Sequence, residues 1–134
     1  MDIVITEWAL QAYLDLKAQQ AFTGQEYWQR IRPDVELLRD GVPSPHPQFA
    51  GHGFWSQATD LSGGSVPDGF RMKWHNVGPG RVQLRLCIGL LRGHAYLCRA
   101  YVKDSDATDK REIAKLKSHL QHIRQGRFIE RGRL

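Results

Sequence analysis

Arg71, Lys73 and His75 stand two residues apart, and so do Arg99, Tyr101 and Lys103. Between these groups Gln83, Arg85 and Cys87 keep the same spacing. Alternation of this kind places side chains on one face of a β-strand. The predicted face therefore carries Arg71, Lys73, His75, Gln83, Arg85, Arg99, Tyr101 and Lys103, with no carboxylate at any of its strand positions. A structural salt-bridge network would mix signs. An all-cationic face with an aromatic hydroxyl suits a phosphodiester, whose negative charge grows in the transition state. The charge distribution points the same way. From Arg71 onward the chain has 15 Lys and Arg against 5 Asp and Glu, whereas residues 1–70 have 4 against 9. The overall net charge of +5 thus conceals a strongly basic second half, the usual footprint of a polyanionic partner and first of all of nucleic acid.

The elements that must position these residues follow from the same alternation. Strands are expected at 70–77 and 81–91, joined by Gly78-Pro79-Gly80. Pairing Val77 with Arg81 sets Lys73 opposite Arg85 and His75 opposite Gln83, and it gathers the apolar residues on the other side. For the next hairpin, a two-residue Arg92-Gly93 turn would drive Arg99 into the apolar face, at a prohibitive desolvation cost. A three-residue loop, Arg92-Gly93-His94, avoids this and predicts Arg85 opposite Tyr101 and Cys87 opposite Arg99. It also predicts Cys87 and Cys98 on opposite faces, without a disulfide. Thr108 is the expected N-cap of a last helix, with Asp109 and Glu112 suiting its positive end. Ile113, Leu116, Leu120 and Ile123 form its apolar stripe, and Lys110, Arg111, Lys115 and Lys117 lie off it. The basic tail, residues 127–134, reads as mobile or ordered by a partner.

In the acidic half, residues 2–6 read as a strand, with Thr6 capping a helix over about residues 7–20. Thr23 and Glu26 have capping-box spacing, with Phe22 and Tyr27 as the hydrophobic staple. Pro33 predicts a kink in that second helix or two abutting helices, and Asp40-Gly41 ends it. Prolines and glycines make residues 42–53 an extended loop, followed by a strand at 54–61 and a long turn through residues 62–69. His46 and His52 on the loop, like His119 and His122 on the last helix, lack the further ligands of a metal site and read as surface histidines. No metal or cofactor is expected. A length of 134 residues suits a single domain. The first residues do not read as a secretory signal, no apolar run is long enough to span a bilayer, and the two cysteines form no disulfide framework. A reducing, cytoplasmic setting is the expectation.

The segment from Tyr96 to Ile113 resembles the end of RelE-type toxins, and most closely the HigB-like, phage-derived branch of that superfamily. In that branch an aromatic-Val-Lys-Lys strand end leads into Thr-Pro-Lys-x-Glu-Ile at the start of the final helix. Here Tyr101-Val102-Lys103 and Thr108-Asp109-Lys110-Arg111-Glu112-Ile113 match, while Asp104 and Asp109 replace the second lysine and the proline. The order strand, helix, helix, sheet, helix is similar too; the 42–69 region is longer than the family pattern. The resemblance implies an α+β RelE-like fold, in which an N-terminal strand and two helices pack on an antiparallel sheet with a C-terminal helix. It implies an mRNA-cleaving endoribonuclease that works without metal, often on the ribosome, and is silenced by a small helix-turn-helix antitoxin. Its catalytic set would be Lys73 or His75 as base, Arg85 and Arg71 on the phosphate, and Arg99 or Tyr101 at the leaving group. Lys103, with Lys110 and Arg111 beyond it, would hold the RNA backbone. Two alternatives share the basic face: a ParE-like gyrase inhibitor without nuclease activity, and a non-catalytic RNA-binding module.

Overall fold

A computed structural model describes all residues, 1–134. Six strands form one mixed sheet in the order β2-β3-β4-β5-β1-β6. They are β1 (Asp2–Thr6), β2 (Trp55–Thr59), β3 (Ser65–Val77), β4 (Val82–Leu91), β5 (His94–Lys103) and β6 (Glu130–Arg133). From β2 to β5 neighbouring strands are antiparallel, but β1 lies parallel to β5, so the wholly antiparallel sheet expected from the sequence is corrected to a mixed one. No helix is long and apolar enough to cross a membrane.

Helix α1 (Glu7–Ala18) starts at Thr6, whose side chain accepts the Ala9 amide. The Thr23–Glu26 capping box opens α2 (Gly24–Glu26), and the Phe22 and Tyr27 rings stack 5.8 Å apart. The chain then widens into a π-turn over Tyr27–Ile31, returns to α-helix in α3 (Arg32–Glu36) and tightens to a 3-10 turn over Leu37–Asp40. Pro33 lacks an amide hydrogen, and this change of pitch just before it is how the helix accommodates that. Gly41, at φ 89°, ends the segment in a conformation that favours glycine.

These helices cover one face of the sheet. There Met72, Trp74, Leu84, Leu86, Ile88 and Leu97 pack with Ala9, Leu16, Ile31, Val35 and Leu38. The other face was expected to be polar throughout. Instead α4 (Asp106–Arg124) lies across it, and Ile113, Leu116, Leu120 and Ile123 build a second core with Cys87, Cys98, Tyr96, Tyr101 and Val4. Gly69 and Gly89, directly paired across β3 and β4, form the floor under this helix. A Cβ on Gly89 would stand 2.5 Å from Leu120 Cδ2, which is too close for any side chain.

The β4–β5 hairpin corrects the expected loop. Leu91 pairs with His94, so the turn is Arg92-Gly93 after all, with both residues at positive φ as a type I′ turn requires. A bulge at Cys98 then shifts the register by one: Ile88 pairs with Leu97, but Cys87 pairs with Arg99 and Arg85 with Tyr101. Arg99 stays out of the apolar core, as its charge demands, through the extra residue rather than a longer loop. The two-residue turn places Cys98 on the α4 side with Cys87, correcting the expectation of opposite faces; both are buried free thiols.

Two further corrections concern the C-terminal region. The N-cap of α4 is Ser105 rather than Thr108, because the Ser105 hydroxyl accepts the Thr108 amide. The tail is ordered by the chain itself: β6 pairs antiparallel with β1, Arg131 meets Glu7 and Arg133 meets Asp2.

Candidate anion site on the basic sheet face

Three adjacent strands deliver the cations. Lys73 on β3 faces Arg85 on β4, which faces Tyr101 on β5, with Arg71 and Lys103 one step away along the outer two. The strand register inferred from sequence therefore does bring Arg71, Lys73, Arg85, Tyr101 and Lys103 together.

Sequence reasoning missed the group at their centre. Asp109, in the first turn of α4, points back at the sheet. Its carboxylate accepts a 2.6 Å hydrogen bond from the Tyr101 hydroxyl, with Arg71 Nη1 and Lys103 Nζ each 3.2 Å away. Burial alone would raise the Asp109 pKa, but the hydrogen bonds from Tyr101 and Lys103 and the Arg71 charge outweigh it and hold the carboxyl below its ordinary value. The signal was present: residues 109, 112, 113, 116, 120 and 123 keep helical spacing on one face, so the apolar stripe of α4 continues into two carboxylates.

The cations are incompletely satisfied. Arg85 is only 7% exposed, pairs with no carboxylate and donates its hydrogen bond to the carbonyl of its own neighbour Leu84. Burial lowers its pKa. The Arg71 Nε is buried without a partner. Lys73 is pushed below its ordinary pKa first by burial and then by the charges of Arg71 and Arg85. Burial likewise pushes the Tyr101 hydroxyl upward, keeping it protonated. The patch thus holds a guanidinium short of acceptors, an amine held below its ordinary pKa and a phenol that keeps its proton.

The other expected site residues are placed differently. His75 has both ring nitrogens engaged, Nδ1 with Gln83 Oε1 at 2.6 Å and Nε2 with the Gly53 carbonyl at 2.8 Å. The Lys73 amine donates to the His52 carbonyl. The 42–53 loop therefore touches this end of the face, a contact that its composition did not announce. Arg99 belongs to a separate cluster: it meets the buried Glu112 at 2.7 Å, and Lys115 approaches the same carboxylate at 3.3 Å. Beside it His119 stacks on Trp8, with ring centroids 3.9 Å apart. Lys110 and Arg111 are exposed on α4. His46 is 2.7 Å from Asp40. On the α1 side of the sheet lies an apolar cavity of about 200 Å³ whose walls include Ala9, Tyr13, Ile31 and Leu97; of the site residues only Arg85 reaches its lining.

Comparison of the chain with protein-family models, curated proteins and solved structures finds no match. The functional reading therefore rests on the site itself.

Proposed function

We propose that the protein is an endoribonuclease of the RelE-like, HigB-type toxin class, acting on mRNA in the cytoplasm and restrained by a small antitoxin. The observation that carries the reading is the convergence of Arg71, Lys73, Arg85, Tyr101 and Lys103 on one patch. Lys73 is the base. Its amine, whose pKa is lowered by burial and by the neighbouring arginines, takes in its neutral form the proton of an RNA 2′-hydroxyl, and the resulting oxygen attacks the adjacent phosphorus. Arg85 and Arg71 neutralise the charge that builds on the phosphoryl oxygens. Tyr101, which keeps its proton, gives it to the departing 5′-oxygen. The products are a 2′,3′-cyclic phosphate and a 5′-hydroxyl. Lys103 holds the neighbouring backbone. Arg99 is left out of this scheme because it stands in the separate cluster of Glu112 and Lys115, and His75 because neither ring nitrogen is left to take a proton; Tyr101 and Arg71 serve once Asp109 releases them.

The test is incubation of purified protein with single-stranded RNA, alone and with translating ribosomes, in the presence of EDTA. Cleavage to cyclic-phosphate ends is expected. Lys73→Met and Arg85→Ala should each reduce it about 100-fold or more while thermal unfolding stays cooperative. Undiminished cleavage by Lys73→Met would remove the base assignment.

One rival is favoured by a specific contact. The His52 carbonyl on the Lys73 amine and the Asp109 carboxylate among the other cations suit a face that holds RNA without cutting it. That reading predicts salt-dependent RNA binding with no product.

A further inference from the structure

We propose that Asp109 is an internal stand-in for the phosphate group, occupying the anion site of this chain and setting its affinity. The inference rests on the reading of this patch as a phosphate site, and it adds the control of that site. Asp109 takes the Tyr101 hydroxyl on one oxygen, and Arg71 and Lys103 on the other. These are contacts that a phosphoryl oxygen would make with the same donors. A carboxylate serving only to neutralise the cluster would pair with its most buried cation. Asp109 does not: Arg85, only 7% exposed, has no carboxylate partner, and the Arg71 Nε is buried without an acceptor. The site is thus wired for an anion with more acceptor oxygens than one carboxylate supplies.

The carrier of this carboxylate can yield. Asp109 sits in the first turn of α4, beside exposed Asp106 and ahead of the apolar stripe that begins at Ile113, while its buried neighbour Thr108 is held by the Ser105 cap. Rotation of the Asp109 side chain frees Tyr101 and Arg71 together and leaves Lys103 only its exposed, 3.6 Å contact with Asp106. The anchoring contacts of α4 with the sheet through Leu116, Leu120 and Ile123 stay in place. An incoming phosphodiester then replaces one anion with another, and the buried guanidiniums are never left bare.

The test measures the dissociation constants of inorganic phosphate and of a short 2′-O-methyl RNA, which cannot be cleaved by 2′-hydroxyl attack, at fixed ionic strength. Asp109→Asn keeps the shape and an acceptor for Tyr101 but removes the charge. It should tighten binding of both ligands about 10-fold or more, as expected for removing one competing charge from a partly buried cationic cluster. Unchanged or weaker binding by a variant whose unfolding remains cooperative would overturn the proposal and make Asp109 an organiser of the cations. If Asp109→Asn unfolds, Asp109→Ser provides the same comparison with a smaller neutral side chain. Binding is read without cleavage: tighter binding with no RNA product would uphold this inference while defeating the nuclease assignment.

Discussion

Cys98 and Arg99 are consecutive in β5, yet both side chains lie on the α4 side of the sheet. A regular strand would send them to opposite faces. The bulge between them is what allows Arg99 to reach Glu112, which is only 4% exposed. Glu112→Leu leaves Arg99 without its partner in a largely covered position and should cost about 3 kcal/mol. Joint replacement of Arg99 and Glu112 by Met and Leu should cost much less than the two single changes added together. Chemical denaturation of the four proteins in a double-mutant cycle measures the coupling.

The Gly89–Leu120 contact predicts the opposite type of failure. Gly89→Ala puts a methyl group where Leu120 Cδ2 stands 2.5 Å away, and overpacking of this kind costs about 1–3 kcal/mol. Leu120→Ala alone should also destabilise, by opening a cavity in the second core. If the two changes compensate, the melting temperature of the double variant will lie above the value expected from simple addition.

His119 makes stability depend on pH. Burial first, then the charges of Arg99 and His122, lower its pKa from 6.5 to about 4, with Glu112 partly opposing and Lys115 adding to the shift. The folded protein therefore binds fewer protons than the unfolded chain between those values. The His119 contribution is fully present above pH 6.5 and is lost as pH falls toward 4. His119→Gln should flatten the stability profile across this window. A profile as steep as that of the wild type would show that another group titrates there.

Under the proposed mechanism, Lys73 sets the pH dependence of RNA cleavage. Its amine is lowered by burial and by Arg71 and Arg85, so the rate should rise with pH and level off below the pH of an ordinary lysine. Lys73→His should retain measurable activity with its rise moved toward about pH 6.5, the ordinary range of an imidazole. Rates with a single RNA substrate between pH 5 and 10 decide this.

The pairs that matter most to the site were legible because alternation is a strong signal. Lys73 opposite Arg85 follows from keeping Met72, Trp74, Leu84 and Leu86 on one side; Arg85 opposite Tyr101 follows from the need to keep Arg99 out of the apolar core, which the structure meets by a bulge rather than the expected three-residue loop. The capping box at Thr23 was equally plain, since its chemistry is local. What escaped notice depends on partners distant in sequence. Nothing near Cys98 announces a bulge; the need arises only when a type I′ turn and a charged Arg99 must be satisfied together. Asp109 and Glu112 look like ordinary helix-start acids until the helix is docked. The RGR tail looks like a free basic extension until Asp2 and Glu7 are placed beside it.

That last placement affects the order in which the fold can be completed. β1 lies between β5 and β6, with Ile3 paired to Ala95 and its carbonyl accepting the amide of Leu134. During synthesis β1 is made first, but both neighbours that hold it come late. The nascent chain can form α1 and its local caps early, whereas the sheet cannot close around β1 until β5 and β6 have left the ribosome. Such distant pairings slow folding, and the delay leaves the edges of β1 open meanwhile. The basic face, which needs β3, β4, β5 and α4 in place, therefore assembles only after all four have emerged.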